Sequence, residues 1–333
     1  MASEIPGIHH VTAIAGSPQQ NIDFYAGILG LRLVKLTVNY DDPTTYHLYY
    51  GDGLGHPGSI ITFFAWPGGG KGLLGTGQLT STSFSVPEGS LEFWMERFRE
   101  RKVSFETPIH RFEHRIMQFE DHDGLKLELV ENAGDERTPW DKSPVPSGNA
   151  IRGFYGVTLS EEGYEKTAWF LRDILGFKPT RQEDNRFRYE ASESNAGGIV
   201  DVLCLPDSSR GHVSVGTVHH VAWRTPNDEQ QKEWREEIAK LSLNVTPVID
   251  RKYFHSIYFK EPGGVLFEIA TEPPGFTVDE SATELGTRLV LPKWLEPLRK
   301  NIEQTLLPVN LPGTRPSIVG GLSSELSARH EIN

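Results

Sequence analysis

Cysteine is nearly absent from this chain. Cys204 is the only one in 333 residues, so a disulfide framework within the chain is excluded. This composition suits a reducing compartment. The amino-terminal sequence MASEIPGIHH has neither the basic start nor the apolar core of a secretory signal. We therefore expect a cytoplasmic protein.

Positive charge and long apolar runs are also scarce. Lys and Arg number 33 against 45 Asp and Glu, which gives a formal net charge of −12. Such a surface repels nucleic acid and anionic membranes over much of its area. No apolar run approaches the roughly 20 residues that a membrane-spanning helix needs. We expect neither nucleic acid nor a membrane as a partner.

A repeated pattern dominates the rest of the sequence. Residues 7–66 read as a strand, a helix that stops at Gly30, and three further strands. The same order can be read in three more units, at residues 77–131, 151–206 and 217–271. Identical residues recur at constant offsets: Gly153, Val157 and Gly176 repeat Gly7, Val11 and Gly30, and Trp234, Phe259 and Glu268 repeat Trp94, Phe119 and Glu128.

Four such units predict an α+β fold of four tandem βαβββ modules with mixed, partly closed sheets. We expect residues 1–131 to form an N-terminal two-module domain and residues 151–275 a C-terminal one. Residues 132–150 are rich in Pro, Gly, Asp and Ser, which is typical of a linker. Residues 276–333 form a C-terminal extension, for which we expect a role in packing or in oligomer contacts.

Histidine pairs mark the first strands of units one and four. These pairs are His9-His10 and His219-His220, and Glu268 lies on the last strand of unit four. Two imidazoles and a carboxylate on separate strands are the side chains of the facial triad that binds non-haem Fe(II) and leaves coordination positions open. A single histidine on a strand is more often an ordinary polar residue, but recurrence at equivalent positions favours a metal site. Such a site requires units one and four to face each other.

Strand geometry limits how each pair can act. Neighbouring strand residues point to opposite faces, so only one histidine of each pair should bind metal, and alternation does not choose which. The other could orient a ligand or contact substrate. Unit one has the apolar residues Ile61, Phe63 and Phe64 on its last strand where unit four has its glutamate. The ligand types admit Mn, Zn or Ni as alternatives to Fe(II), and zinc would suit hydrolysis or isomerisation.

The GIHHVT and TVHHVA openings, the EPGGVLFE ending and the four units together resemble the vicinal oxygen chelate superfamily over roughly residues 5–275. That superfamily includes glyoxalase I, bleomycin-resistance proteins and extradiol dioxygenases. The segments RKYFHSIYF and LPKWLEPLRKNIEQTL resemble its ring-cleaving dioxygenases of the hydroquinone type. The resemblance implies two vicinal-oxygen-chelate domains, and it implies that the second histidine of each pair binds iron. The implied ligands are His10, His220 and Glu268, and the implied surrounding residues are His9, Thr12, His219, Arg251 and Tyr258.

These residue types suit ring cleavage. Arg251 can hold a phenolate or stabilise developing negative charge, and Tyr258 or a neighbouring histidine can move a proton. We therefore expect a non-haem Fe(II) dioxygenase that opens a dihydroxybenzene with O2 and acts in the degradation of aromatic compounds. The resemblance alone favours a hydroquinone over a catechol. The expected partners are a small aromatic diphenol and O2, and a homo-oligomer is left open.

Two alternatives remain. A glyoxalase-type metal-dependent lyase or isomerase is disfavoured because that site uses carboxylates from both paired units, and Phe63 lies near the expected place in unit one. A small-molecule-binding resistance protein is disfavoured because such relatives generally lack the metal ligands.

Overall fold

Two eight-stranded sheets make up most of the molecule. The computed structural model describes residues 4–191 and 197–313. Each predicted unit contains one strand, one helix and three further strands, and the sheets mix parallel and antiparallel pairs. The predicted α+β class with mixed, partly closed sheets is confirmed.

The first sheet combines units one and four. In both units the first strand is parallel to the last, and the first strands of the two units pair antiparallel. The strand order is β14-β15-β16-β13-β1-β4-β3-β2. Unit one contains β1 (Ile8–Ala15), α1 (Pro18–Ile22) with a π-helical turn (Asp23–Ile28), β2 (Arg32–Val38), β3 (Tyr46–Gly51) and β4 (Ile60–Ala65); unit four contains β13 (Val218–Thr225), α4 (Asp228–Lys240), β14 (Ile249–Asp250), β15 (His255–Lys260) and β16 (Leu266–Thr271).

The second sheet combines units two and three in the same way. Its order is β10-β11-β12-β9-β5-β8-β7-β6, and β5 pairs antiparallel with β9. Each sheet thus draws on both halves of the chain, and the division into residues 1–131 and 151–275 stays a prediction. Unit two contains β5 (Gln78–Val86), α2 (Leu91–Arg101), β6 (Ile109–Arg111), β7 (His114–Glu120) and β8 (Lys126–Glu131); unit three contains β9 (Gly153–Glu161), α3 (Glu165–Trp169) with a π-helical turn (Phe170–Ile174), β10 (Lys178–Glu183), β11 (Arg186–Glu190) and β12 (Ile199–Cys204).

The central strand pair of each sheet carries two irregularities in register. In the first sheet, Ile8 pairs with Trp223 but His10 pairs with Ala222, so β1 has an extra residue at His9. Further along, the extra residue lies on β13, at His219. β-Bulges of this kind bend a strand and redirect side chains. The second sheet has equivalent shifts at Tyr155 and Thr80.

Helix α4 anchors the strands next to the fourth unit's glutamate. It begins after Asn227, whose side chain accepts a hydrogen bond from Gln230 N, and it buries Gln231, Trp234 and Ile238 on one face. The Gln231 amide donates to the carbonyl oxygens of His255 on β15 and Ile269 on β16, at 2.6 and 2.8 Å. These bonds fix the strand that carries Glu268.

The C-terminal extension packs along the β2 edge of the first sheet. The Val290 amide donates to the Leu36 carbonyl at 2.9 Å, and the buried Lys35 ammonium pairs with Asp279 at 2.6 Å and with Glu280. The extension contains two short 3₁₀ turns and helix α5 (Arg299–Thr305). A packing role therefore holds for residues 276–313, whereas residues 314–333 lie outside the described part. Among the described helices, none combines the length and apolar character needed to cross a bilayer.

Candidate metal centre

Three side chains from three strands converge in the first sheet. The Nε2 atoms of His10 on β1 and His220 on β13 lie 3.3 and 2.9 Å from Glu268 Oε2 on β16, and 3.4 Å from each other. All three residues are buried, with exposed fractions of 2, 4 and 0 %. The pairing of β1 with β13 produces this convergence because it joins residues from the two ends of the chain.

These distances fit a metal ion. Ligand atoms about 2.1 Å from an ion and at right angles to one another stand about 3 Å apart. Glu268 supports the fit: Ser256 donates to its Oε1, while the buried Oε2 has no hydrogen bond of normal geometry within the described residues. The chain therefore has a possible His/Glu metal site.

The charge states of Glu268 and His220 suit a cation. Burial raises the pKa of Glu268, but His10 and His220 outweigh that effect and hold the pKa of this carboxyl well below its ordinary value. Burial also lowers the pKa of His220. An ionised carboxylate and neutral imidazoles are the forms in which these groups bind metals.

The two bulges bring the first histidine of each pair against the second. The Nδ1 atoms of His9 and His10 are 2.9 Å apart, and those of His219 and His220 are 2.7 Å apart. Simple strand alternation would turn these side chains away from each other. Burial, with a further effect from the adjacent histidine, lowers the pKa of both His9 and His219 to about 3. The neutral imidazoles of His9 and His219 thus contact the Nδ1 atoms of His10 and His220. These Nδ1 atoms are the ring nitrogens that face away from Glu268.

A cavity of about 250 Å³ lies on the open side of the triad, and it is lined by the predicted residues Thr12, His219, Arg251 and Tyr258. Arg251 Nε donates to the Tyr258 hydroxyl at 3.2 Å, and its Nη1 lies 3.1 Å from Asp41 Oδ2. Burial raises the pKa of Tyr258 above its ordinary value, so the phenol keeps its proton. His9 does not line this cavity, but its ring contacts His10, which does. Aromatic lining residues are Tyr40, Tyr49, Phe64, Trp66 and Phe254.

Sequence reasoning missed His47 and Thr62. The registers pair Ala222 with Glu268 and Thr12 with Thr62, so Thr62, and not Phe63, takes the place of the glutamate in unit one. Thr62 Oγ1 lies 2.9 Å from both Thr12 Oγ1 and His47 Nε2. Thr62 could not be found by counting along the repeat, because 50 residues separate it from Thr12 whereas 46 separate Glu268 from Ala222, and His47 belongs to a strand without a repeated histidine.

The second sheet has carboxylates at the same register positions. Ser83 pairs with Glu128 on β8, and Thr158 pairs with Asp201 on β12. Arginines occupy the space beside both. Arg111 binds Glu128 through two hydrogen bonds of 2.9 Å, and Arg188 binds Asp201 at 2.8 and 3.0 Å. Glu128 and Asp201 are thus each paired with an arginine of the chain.

Comparisons with known proteins place these features in a family. Residues 7–129 and 157–269 match the Glyoxalase/Bleomycin resistance protein/Dioxygenase superfamily. The chain is 49 % identical over 308 residues to MhqO of Bacillus subtilis, a protein assigned to the ring-cleaving dioxygenases, covering 92 % of this chain and 98 % of that one. It is 34 % identical over 315 residues to chlorohydroquinone/hydroquinone 1,2-dioxygenase of Sphingobium indicum, covering 92 and 97 %.

A solved structure shows the same architecture. A Bacillus subtilis protein described as a dioxygenase superposes with a TM-score of 0.90 at 48 % identity, covering 93 % of this chain and 99 % of that one. The resemblance to the vicinal oxygen chelate proteins is thus confirmed, and the chain belongs to the glyoxalase/bleomycin resistance protein/dioxygenase superfamily.

Proposed function

We propose that this protein is a non-haem Fe(II) ring-cleaving dioxygenase whose metal ligands are His10, His220 and Glu268. The observation that carries the proposal is the buried triad at the wall of an aromatic-lined cavity, with ligand atoms 2.9 to 3.4 Å apart. Similarity to ring-cleaving dioxygenases supports the reaction class. Bound Fe(II) would offer adjacent coordination positions to a phenol oxygen and O2 and would exchange electrons between them.

Arg251 and Tyr258 handle charge and protons beside the ligands. The Tyr258 hydroxyl accepts from Arg251 Nε, which leaves its own hydrogen free to be donated into the cavity. A phenol that has lost its proton would be stabilised by this hydroxyl and by the guanidinium behind it. Because burial keeps Tyr258 protonated, it acts as the proton donor of the site.

His9 and His219 position the ligands. Each lies within 2.9 Å of the Nδ1 atom of a ligand histidine, so it fixes the ring orientation and favours the tautomer with a free Nε2. Thr12 has a different role, since its hydroxyl contacts Thr62 and extends a chain of hydrogen bonds through His47 to Tyr49. This chain holds one wall of the cavity rigid.

A hydroquinone is the proposed substrate, and the similarity to chlorohydroquinone/hydroquinone 1,2-dioxygenase supports it. The hydroxyls of a hydroquinone lie at opposite ends of the ring, so only one of them can reach the metal. The other then needs a polar partner within the cavity, and Arg251, Tyr258, His47 and Asn39 are there. A catechol would instead place both oxygens on the metal.

Thr62 argues against glyoxalase chemistry. A second carboxylate from the paired unit is expected in that type of site, yet the register position holds a threonine already bonded to Thr12 and His47. The first sheet therefore offers one carboxylate to the metal, and Glu268 supplies it.

Metal analysis and oxygen uptake test the proposal. Protein purified without added zinc is loaded anaerobically with Fe(II), and separately with Mn, Zn or Ni, and assayed with hydroquinones and catechols. We expect about one metal ion per chain, and O2 uptake equal to the diphenol consumed with Fe(II). Turnover of a glutathione hemithioacetal without O2 uptake from any diphenol would replace this function with that of a glyoxalase. Binding of diphenols without turnover under all loadings would indicate a binding protein.

A further inference from the structure

A second cavity, which we call the basic pocket, lies against the metal centre. Its volume is about 320 Å³, and His219, His220 and Leu266 line both it and the 250 Å³ cavity. The wall between the two spaces is therefore formed by these three side chains. Away from the wall, the basic pocket is lined by the exposed residues Arg210, His212 and Lys260.

The charge of the basic pocket is opposite to that of the protein. No Asp or Glu is among its described lining residues, although the chain has a net charge of −12. In the described ranges Arg210 and Lys260 form no ion pair and no side-chain hydrogen bond. By contrast, the cations Arg251, Arg186 and Lys35 elsewhere in the structure all pair with carboxylates. Arg210 does act electrostatically on Glu161, but burial and Glu261 raise the pKa of that carboxyl to about 8, so it is mostly protonated at pH 7 and both cations stay available to an anion.

Arg210 is held at the pocket by its backbone. The Thr76 amide donates to the Ser209 carbonyl, and the Gly211 amide donates to the Thr76 carbonyl, both at 3.0 Å. The guanidinium lies over the turn that leads to Glu268. A Cβ atom on Gly264 would lie 2.5 Å from Arg210 Nη2, and this glycine has a φ of +109°, so only glycine permits the contact.

Gln78 adds a buried donor to the same pocket. Its exposed fraction is 4 %, and its Oε1 accepts a hydrogen bond from Gly75 N at 3.2 Å. Its Nε2 has no acceptor within the described residues. Buried amide donors are nearly always bonded, so an unpaired one lining a cavity indicates a missing acceptor.

The repeat shows that this chemistry is specific to the metal side. The position of Lys260 is occupied in unit two by Glu120. The corresponding cavity of about 270 Å³ beside the second sheet is lined by Glu106, Glu120 and Glu128, and its two cations, Lys126 and Arg186, both pair with carboxylates. The basic character is therefore a property of unit four and its neighbour Arg210, not of the fold.

We propose that the basic pocket is a carboxylate-binding subsite of the metal centre. This inference rests on the proposed function. Ring opening joins a neutral diphenol and both atoms of O2 in one acid, which loses a proton near neutral pH. That carboxylate forms beside His220, whose side chain also lines the basic pocket together with Arg210 and Lys260. A carboxylate carried by the substrate ring would be bound by the same groups.

Calorimetric titration of the full-length, metal-loaded protein with cis,cis-muconate, a six-carbon ring-opened dicarboxylate, tests the subsite. Because each exposed cation contributes modestly, we expect the double variant Arg210→Gln/Lys260→Gln to weaken binding about fivefold or more. Lys232→Gln makes the same change of charge at an exposed position on α4 and should leave the dissociation constant unchanged. Far-UV circular dichroism verifies folding.

A parallel assay compares kcat/KM for 2,5-dihydroxybenzoate and unsubstituted hydroquinone. If the double variant loses kcat/KM only for 2,5-dihydroxybenzoate, the subsite binds a carboxylate of the substrate. If the double variant binds muconate more weakly, the subsite binds the carboxylate of the product. Unchanged muconate binding together with unchanged discrimination overturns the subsite. Since calorimetry requires no turnover, a protein that binds muconate through Arg210 and Lys260 but consumes no O2 would retain the subsite and lose the proposed reaction.

Discussion

The two eight-stranded sheets share a strand order and differ in what surrounds their central carboxylates. In the first sheet Glu268 faces two imidazoles and a cavity of about 250 Å³. In the second sheet Glu128 is bound by Arg111, Ser83 and Gln118, and only about 10 Å³ of space lies between it and Asp201, although Glu128 also borders the cavity of about 270 Å³.

A buried carboxylate needs a compensating positive charge, and the two sheets supply it differently. In the second sheet burial raises the pKa of Glu128, but Arg111 outweighs it and holds the pKa below its ordinary value. The cation there is part of the chain. In the first sheet no Lys or Arg within the described residues forms an ion pair with Glu268, which instead lies beside His10 and His220, and we propose that a bound metal ion supplies the charge. The same fold thus makes a structural ion pair in one place and a candidate metal site in the other.

Removal of a histidine ligand should have the largest effect and should affect only the first sheet. His220→Ala leaves two ligands, so the metal affinity should fall by more than the roughly 100-fold that loss of a supporting partner costs. O2 uptake should fall to background. The register places Ser81 where the first sheet has His220, so Ser81→Ala is the matched control. Mass spectrometry measures the iron content of both variants. A His220→Ala protein that still holds one iron per chain refutes the ligand assignment.

Exchange of each central glutamate for glutamine should separate binding from stability. Glu128→Gln leaves the guanidinium of Arg111 without its buried partner, so we expect unfolding to become easier by about 3 kcal/mol, with metal content unchanged. Glu268→Gln should abolish metal binding and change the stability of the metal-free protein less. Urea denaturation and metal analysis of both variants measure the contrast. Similar results for both substitutions would mean that the two sheets do not differ in the way described.

Tyr258 and Gln118 occupy equivalent positions opposite the two glutamates. Tyr258→Phe removes the proton donor but no ligand, so kcat should fall about 100-fold while metal content is retained. Gln118→Leu should leave kcat unchanged, because Gln118 only donates to Glu128. Steady-state O2 uptake over a range of pH checks both. A Tyr258→Phe enzyme with the pH profile of the wild type would exclude the proposed proton transfer.

The smallest expected effect lies where units three and four meet. Burial, with the nearby Glu261, raises the pKa of Glu161 from 4.5 to about 8, and its buried Oε1 has no hydrogen-bond partner among residues 4–191 and 197–313. The folded protein therefore holds a proton that the unfolded chain releases, so stability falls as the pH rises from 4.5 to 8. Glu161→Gln should flatten this slope, and Glu162→Gln, an exposed neighbour, should not. Thermal unfolding at several pH values checks the difference, and identical slopes would show that Glu161 titrates normally when folded.

The repeat made the fold predictable from the sequence. Identical spacing of residues such as Gly30 and Gly176 identified the units, and the paired histidines with Glu268 indicated which units contribute ligands. The assignment of His10, His220 and Glu268 as ligands stays a prediction until metal is measured, although the three side chains do converge.

Pairing between units and local register could not be read from the sequence. Any first strand could pair with any other, and long-range contacts decide that choice. The bulges at His9 and His219 insert one residue without a sequence signal, since neither site has a glycine. Phe63 lies near the position expected for a counterpart of Glu268, but the register gives Thr62, because the loops between the first and last strands differ in length between units one and four.

The placement of β1 beside β13 has a consequence for biosynthesis. All strands of the second sheet have been synthesised once Cys204 is added, whereas the first sheet must wait for Thr271. At about 5–20 residues per second this is a delay of roughly 3 to 13 seconds. The nascent chain starts that interval with His10 alone of the three proposed ligands, His220 follows 16 residues later, and Glu268 arrives near the end. The proposed ligand set is therefore complete only late in synthesis, and a chain truncated between Cys204 and Glu268 would contain every strand of the second sheet without the glutamate of the first.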